Sequence, residues 1–430
     1  MRPCQGPHSI LAIPLTFSLS PAIGGEGGVS GERGFVEPWK RNLYCLWATE
    51  FLAALGMSLV LPFLPFFIRE LGVSDLGEVK RWSGLVFAAP FFVATFTGPL
   101  WGWLGDRYGR RAMLIRALVG YAGSAFLMAF ANTVEQLFLL RLIQGGVSGF
   151  IAATLAIAAT TTPRDKMGYA MGVLQTSLTT GAVIGPFIGG LLADQIGYRN
   201  VFFITAVFGL AAIILVILLV QENERTPQEM KSSGFFSNFR LVFTSPALII
   251  IFAVGFIVQT SVMSIQPVLS LFVETLWPEA NHLATVAGGI FAITGFASLL
   301  SAPYWGKRGD RMGYKKILAI TLVGTGITCV PQAFVRHAYQ LLLLRFAYGL
   351  FVGGILPALY TLTSLNVSQE RQGGILGITR SGLMLGNVVG PVSGGFLAAS
   401  LGIRPLFIFM SVLLFIVYFW VRRIIQEPAH

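Results

Sequence analysis

Residues Gly102–Arg111 have the sequence Gly-Trp-Leu-Gly-Asp-Arg-Tyr-Gly-Arg-Arg, and a related stretch, Gly-Lys-Arg-Gly-Asp-Arg-Met-Gly-Tyr-Lys, follows 204 positions later at Gly306–Lys315. Each copy joins two long apolar runs. Glycines let a chain reverse tightly, and an aspartate among arginines can form ion pairs or cap a nearby helix. The stretch therefore predicts a short, charged loop between two helices, repeated once along the chain.

Two further motifs repeat in the same order. Leu-Leu-Arg141 returns as Leu-Leu-Arg345, again 204 positions later. The pattern G-x-x-x-G-P-x-x-G-G at 181–190 returns 205 positions later at 386–395. Three motifs in one order at almost one offset predict a duplicated chain, a common origin of the two halves of membrane transporters.

The composition places most of this chain in lipid. It is 54% hydrophobic and 11% charged, whereas ordinary soluble domains have about 25% charged residues. Apolar runs of about twenty residues recur, and each can cross a hydrocarbon layer of about 30 Å as a helix. We predict an all-α membrane protein with twelve transmembrane helices in two pseudo-symmetric six-helix bundles, at about 43–68, 83–104, 112–131, 136–160, 167–193, 199–220, 247–273, 285–305, 315–335, 339–363, 372–398 and 404–423.

The predicted division has four parts. Residues 1–40 form an N-terminal extension, 41–220 the first bundle, 221–245 a polar cytoplasmic linker and 246–425 the second bundle. The extension is interpreted as disordered, or as an upstream stretch included by a misplaced start codon. Its apolar run from Ile10 to Ile23 also has the character of a signal peptide, but Lys40 and Arg41 precede the first span as a cytoplasmic anchor would.

The basic residues are distributed asymmetrically. Of the 30 Lys and Arg residues, 20 lie in the termini and the loops on one side of the predicted membrane. The other side has six, Arg69, Lys80, Arg81, Arg199, Arg336 and Arg404. Because basic residues resist translocation, both termini are predicted to be cytoplasmic, and the net charge of +11 does not indicate nucleic-acid binding. The three cysteines have no spacing typical of a disulfide framework or a metal site.

The first repeated motif carries a family resemblance. G-x-L-x-D-R-x-G-R-R resembles the loop motif of the major facilitator superfamily, in which it is thought to lock one access state. The resemblance implies a conformational latch at Gly102, Asp106, Arg107, Gly109, Arg110 and Arg111, with Asp310, Arg311 and Gly313 as its second copy. That copy departs from the pattern at Arg308 and Tyr314. The alternative is a basic hairpin with no gating role.

Arg141 is a guanidinium within the fourth predicted span, followed by Gln144 and Gly145. A charge in hydrocarbon is costly, so this side chain is expected to face protein or a water-filled cavity. Leu-x-x-x-Arg-x-x-x-Gly resembles the fourth-helix motif of the superfamily, which implies a role in proton coupling. A structural charge that backbone carbonyls satisfy is the alternative.

The fifth predicted span contains Gly181, Gly185, Pro186, Gly189 and Gly190. Small residues four apart permit close helix packing, and proline removes a backbone donor and bends the helix. Packing alone explains such a pattern. Its full form resembles the motif of the drug/proton antiporters of the superfamily, which implies export, although the copy in the eleventh span weakens that discrimination.

Glu50 is the only acidic residue well inside a predicted span. Because burial favours the neutral form of a carboxyl group, Glu50 is the candidate proton-binding or cation-sensing group. The alternative is a hydrated carboxylate near the cytoplasmic opening. The candidate substrate contacts are Gln144, Gln259, Arg345 and Asn387; for Gln259, hydrogen bonding between helices is an equally good explanation.

These features, with the prolines Pro62, Pro65 and Pro303, resemble bacterial multidrug efflux transporters of the superfamily. The resemblance implies proton-coupled efflux of small amphiphilic compounds across the bacterial inner membrane by a monomer that needs no cofactor. The chain has no phosphate-binding or zinc-binding motif, so no enzymatic activity is predicted. Two alternatives are a proton-coupled uptake symporter and a non-transporting receptor or scaffold.

Overall fold

The computed structural model describes residues 37–222, 246–365 and 372–424. The predicted extension before residue 37 and the linker from 223 to 245 lie outside the described residues. The helices are α1 (Pro38–Leu59), α2 (Leu64–Glu70), α3 (Leu76–Tyr108), α4 (Arg110–Met128), α5 (Val134–Val147), α6 (Phe150–Thr161), α7 (Met167–Ile196), α8 (Tyr198–Leu219), α9 (Pro246–Ser264), α10 (Leu269–Leu276), α11 (Leu283–Met312), α12 (Tyr314–Cys329), α13 (Ala338–Leu365), α14 (Gln372–Leu401) and α15 (Ile403–Ile424).

The helices agree with the predicted membrane architecture. Within the described residues, ten helical segments are long and apolar enough to cross a membrane, or eleven if α1 and α2, bent by 54°, form one span. The remaining predicted span, 83–104, lies within α3, which is 33 residues long. Each predicted span therefore coincides with one helix or with an interrupted pair, and the all-α membrane fold is confirmed.

The loop predicted at the first motif is wrong, because the motif is almost entirely helical. Residues 102–108 form the last turns of α3, and the chain reverses at Gly109 alone, with φ of 102°. Gly313 makes the same reversal, with φ of 88°. Side chains are strained in this left-handed region, so glycine is needed at these two positions. We call the membrane face that carries both reversals the turn face.

Three predicted spans are interrupted. The first breaks between α1 and α2, where Pro62 and Pro65 each lack a backbone donor. The fourth breaks between α5 and α6 at Gly149, whose φ is 124°. The seventh breaks between α9 and α10 beside Pro267. Hydropathy alone does not reveal such breaks, because the chain is apolar on both sides of each break.

The duplication is visible in individual hydrogen bonds. The indole N–H of Trp101 donates to the carbonyl oxygen of Gly146 at 2.7 Å, and Trp305, 204 positions later, donates to Leu350 at 2.6 Å. Both bonds join the helix before the turn to the next-but-one helix. A second hydrogen bond also occurs in both halves. The guanidinium of Arg199 donates to the carbonyl oxygen of Ala129 at 2.9 Å, and that of Arg404 donates to the carbonyl oxygen of Ala333 at 2.8 Å. The two halves therefore share these internal contacts, and the boundaries of the predicted bundles stay a prediction.

Candidate functional site

Helix α7 packs between α1 and α11 through its glycines. Backbone or side-chain atoms of α1 occupy the space that a Cβ would need at Gly181, Gly185 and Gly189. A Cβ at Gly189 would lie 2.0 Å from the carbonyl oxygen of Leu59, and one at Gly190 would lie 2.1 Å from that of Ala284 in α11. The motif therefore brings three helix backbones together and joins the two halves of the chain.

Helix α14 has the same position in the second half. A Cβ at Gly394 would lie 1.8 Å from the carbonyl oxygen of Ser264 in α9. On the other side of α14, a Cβ at Gly84 of α3 would lie 2.4 Å from the carbonyl oxygen of Pro391. Both copies of the motif thus serve close packing between the halves, which accounts for the second copy in the eleventh span.

The halves are joined by polar contacts at the membrane face opposite the turn face. Asp194, near the end of α7, accepts hydrogen bonds from the backbone N–H groups of Ala284 at 3.3 Å and Thr285 at 2.7 Å, and from the Thr285 hydroxyl at 2.6 Å. These donors lie in the first turn of α11, where a carboxylate is favourable. An ion pair of 2.7 Å between Arg69 and Glu274 joins α2 to α10. The structure is therefore closed at this face.

Removing the Asp194 carboxylate should weaken this closure. The variant Asp194→Ala loses a charged helix cap worth about 1–2 kcal/mol, so the closed state should become about tenfold less populated. The measurement is the rate of thiol labelling of Cys introduced at the buried Ala287, with Cys4, Cys45 and Cys329 replaced by serine. Asp165→Ala removes an exposed carboxylate of similar size and is the control; equal labelling rates in both variants would contradict the assignment.

Glu50 is enclosed by protein. Its side chain is 0% exposed, and its Oε2 lies 3.0 Å from the Ser177 hydroxyl oxygen of α7. Among the described residues, its Oε1 has no hydrogen-bond partner. The alternative of a hydrated carboxylate at the cytoplasmic opening does not agree with this burial. Arg380 of α14 acts on Glu50 electrostatically. A charge so enclosed is nevertheless costly, whereas a neutral carboxyl is tolerated.

The hydroxyl of Ser177 has one proton and two acceptors within reach. Its oxygen lies 2.6 Å from the carbonyl oxygen of Leu174 and 3.0 Å from Glu50 Oε2. If the proton is donated to Leu174, the Ser177 oxygen can only accept from Glu50. A protonated Glu50 supplies that donor, and an ionised Glu50 accepts the Ser177 proton instead, so the contact accommodates both forms of the carboxyl.

Two aromatic side chains beside Glu50 were not identified from the sequence. The rings of Trp47 and Phe51 stack with centroids 5.2 Å apart, and both are half-buried. The Trp47 indole N–H donates to the Thr176 hydroxyl at 2.9 Å. Positions 47, 50 and 51 lie on one side of a helix. The signal was that spacing around the single acid, which is hard to recognise among 35 phenylalanines.

Arg141 and Gln144 form a separate polar pair. The Arg141 guanidinium donates to the Gln144 side-chain oxygen at 3.1 Å, and both side chains are 7% exposed. Among the described residues, Arg141 therefore donates to a side chain rather than to a backbone carbonyl. Because Gln144 already accepts from Arg141, it is a weaker candidate for substrate contact than the sequence indicated. Glu50 is bonded to Ser177 of α7 instead.

The predicted substrate contacts do not form one cluster. The Gln259 amide of α9 donates to the Asn387 side-chain oxygen of α14 at 2.7 Å, so hydrogen bonding between helices explains these two. Arg345 is 2% exposed, and its guanidinium lies over the rings of Tyr348 and Phe407 at 5.3 and 5.6 Å. Arg345 is thus enclosed within the second half.

The latch arginines make contacts inside the first half. The carboxylate of Glu222 accepts from the backbone N–H groups of Arg110 at 3.0 Å and Arg111 at 3.1 Å, and so caps α4. The guanidinium groups of these arginines donate to Ala156 O in α6 at 2.8 Å and Ile217 O in α8 at 2.6 Å. The side chain of Asp106 lies outside the described part of the chain.

The second copy of the latch motif is held differently. Asp310 accepts a hydrogen bond from the Tyr314 hydroxyl at 2.5 Å, so the residue that departs from the family pattern partners the aspartate. The sequence analysis did not identify Glu222, because its cap spans 112 positions of the chain. Within the part of the chain that the structure describes, no three His, Cys, Asp or Glu side chains are grouped as a metal site requires.

Solved structures share this fold. A bacterial homologue of the human lysosomal transporter Spinster, in an inward-facing and occupied conformation, superimposes with a TM-score of 0.77 at 14% identity, covering 92% of this chain and 100% of that one. A D-xylose–proton symporter gives 0.76 at 14% identity, covering 91% and 99%. At such low identity these likenesses concern the fold alone.

Sequence relatives cover most of the chain. It is 40% identical to the multidrug resistance protein MdtG of Serratia proteamaculans over 385 residues, which is 89% of this chain and 93% of that protein. The protein of the same name from Proteus mirabilis is 37% identical, over 89% and 96%. The family model of the Major Facilitator Superfamily matches residues 46–278 and 268–430. With its helical membrane fold and duplicated halves, this chain belongs to the Major Facilitator Superfamily.

Proposed function

We propose that this protein exports small amphiphilic compounds from the bacterial cytoplasm in exchange for protons. Its similarity to proteins named for multidrug resistance supports efflux. The observation that carries proton coupling is Glu50, which is fully buried and bonded to the helix that joins the two halves. Transport rather than catalysis is the activity, and the working unit is a monomer with both termini in the cytoplasm.

Protonation of Glu50 would be coupled to movement through α7. The carboxyl lies on α1 and contacts Ser177 on α7, and α7 packs closely against both α1 and α11. A neutral Glu50 is compatible with this dry contact. Loss of the proton leaves a buried charge, which Arg380 attracts and which water or a bound cation would stabilise further. Separation of α1 from α7 admits either, so deprotonation favours a different position of α7 in the first half, and α7 transmits that change to α11 through the contact at Gly190.

The substrate would bind beside the same carboxyl. Trp47 and Phe51 supply two aromatic faces, and an ionised Glu50 supplies a negative charge between them along the helix. Aromatic faces and a carboxylate together favour a lipophilic cation. Substrate and proton then compete for one group, which is the simplest form of antiport. The opposite face, closed by Asp194 and by Arg69, is the side at which the substrate leaves after rearrangement.

Everted membrane vesicles test both direction and coupling. Respiration acidifies the lumen of such vesicles, so a proton antiporter that exports should concentrate a fluorescent lipophilic cation inside them. A protonophore should abolish that accumulation. Accumulation in right-side-out vesicles alone, in excess of that in vesicles without the protein, would identify an uptake symporter instead. No protein-dependent accumulation in either preparation would contradict transport of this substrate class.

A further inference from the structure

A groove on the outer surface of the second half is basic at one end and apolar at the other. It has a volume of about 730 Å³ and lies between α12 and α15, with Phe351 of α13 also lining it. Lys315, Lys316 and Arg422 lie at the end nearest the turn face. The lining residues farther along α12 are apolar and include Val323 and Ile327. No acidic residue lines the groove among the described residues.

We propose that this groove binds one anionic phospholipid, with its phosphate at the three basic residues and an acyl chain along α12. The two basic clusters lie on different helices, in the first turn of α12 and the last turn of α15. The positive end of the α12 dipole adds to their charge, since its first turn contains no acidic residue. One end of the groove is therefore strongly attractive to a phosphodiester.

The length of the groove matches one leaflet. Lys316 and Ile327 are eleven positions apart on a helix, which corresponds to about 16 Å at 1.5 Å per residue. Half of a bilayer hydrocarbon core is about 15 Å. The basic end thus lies at headgroup depth when the apolar end reaches the middle of the membrane, and a lipid is the occupant with this polarity and length.

The floor of the groove is shaped for a chain-like ligand. A Cβ at Gly324 would lie 2.2 Å from the Phe351 ring, so the glycine lets that ring pack directly on the α12 backbone. Ile327 is 57% exposed and Ile320 is 37% exposed, and both leave apolar surface available along the groove. Arg422 donates to the Tyr418 hydroxyl at 3.2 Å, which holds its guanidinium at the groove.

A second groove provides an internal comparison. It lies near the opposite face and is lined by Val330, Pro331, Phe334, Val335, Gln340, Leu343 and Leu344, with no charged residue. Lipid tails can fill both grooves without specificity. Only the first has charges that select an anionic headgroup, so selectivity should be confined to it.

Photo-crosslinking to the purified full-length protein in phosphatidylcholine nanodiscs tests the site. The probe is phosphatidylglycerol with a photoactivatable acyl chain, and labelled peptides are mapped by mass spectrometry. The charge-removing variant is Lys315→Gln/Lys316→Gln/Arg422→Gln. Each basic residue near an anionic headgroup contributes about fivefold in affinity, so half-maximal labelling of α12 should require about a hundredfold more probe.

A matched variant and a blocking variant complete the design. Arg41→Gln/Arg164→Gln/Lys166→Gln removes three exposed charges from the turn face of the first half and should leave α12 labelling within about threefold of the unmodified protein. Val323→Trp keeps every charge, fills the groove and should also abolish labelling. Equal losses in the two triple variants, equal labelling by a phosphatidylcholine probe, or displacement of the probe by millimolar inorganic phosphate would each overturn the proposal.

Discussion

Glu50→Gln is expected to reduce proton-driven efflux at least a hundredfold while the protein remains folded. Glutamine has nearly the shape of a protonated glutamate, so it should fit the dry contact with Ser177. It cannot ionise, and a transporter fixed in the neutral form cannot return a proton. Exchange of labelled for unlabelled substrate is measured with an uncharged amphiphile, which does not need the Glu50 charge for binding; it requires no proton release and should persist. This contrast separates a coupling role from a structural one.

The measurement uses proteoliposomes with an imposed pH gradient, together with the proton release that follows addition of substrate to weakly buffered protein. Glu135→Gln is the control, because Glu135 is an exposed carboxylate in the first turn of α5. Unmodified protein and the control should release protons, and Glu50→Gln should not. Gradient-driven efflux that survives in Glu50→Gln would show that the proton binds elsewhere. Loss of exchange together with efflux would indicate a structural role.

The second large effect is expected for Gly190→Ala. One added methyl group would lie 2.1 Å from the carbonyl oxygen and 2.6 Å from the carbonyl carbon of Ala284, and neither atom belongs to a side chain that can rotate away. Overpacking of this kind costs about 1–3 kcal/mol, which corresponds to about fivefold to 150-fold in an equilibrium. The closed state of this face should be depleted by that factor, and transport should fall at least about fivefold because each cycle requires closure.

Gly172→Ala in the same helix is the matched control, since a Cβ there meets nothing within 4 Å. It should leave transport unchanged. Spin labels at Ile196 and Asn281, near the adjoining ends of α7 and α11, would report the closed population as a short distance between them. If Gly190→Ala keeps that short distance and normal transport, the close approach of α7 and α11 is not needed for the cycle.

Most of the fold was predicted from the internal repeat of the sequence motifs. Because Asp106 and Asp310 have the same position in two similar motifs, the sequence alone indicated two halves and a helical reversal in each. Tight reversals require glycine at a positive φ, and this local demand is readable at Gly109 and Gly313. The same motif was wrongly interpreted as a loop, since nothing in its composition separates the end of a long helix from the turn that follows.

Contacts across long sequence separations could not be predicted in this way. In the sequence, Asp194 is one of several acidic residues next to predicted loops. Only the structure shows that its carboxylate accepts hydrogen bonds from the first turn of α11. Glu222 lies in a polar stretch and was therefore assigned to the linker. Its carboxylate caps α4 because the end of α8 approaches the start of α4, and this approach is seen only in the structure. In both cases the partner is a backbone N–H group, which every residue but proline has, so no residue type marks it.

For this protein, the amino-acid sequence by itself determined the positions of its apolar spans, the duplication and the acidic residue within a span, because hydropathy, glycine and charge act over one turn or one span. Only the tertiary structure decided that Glu50 meets Ser177, that Gln259 is bonded to Asn387, and that Arg345 is enclosed by rings. These contacts depend on helix rotation and packing. Helices in lipid have apolar residues on every side, so the periodicity that identifies the buried face of a soluble helix is largely lost.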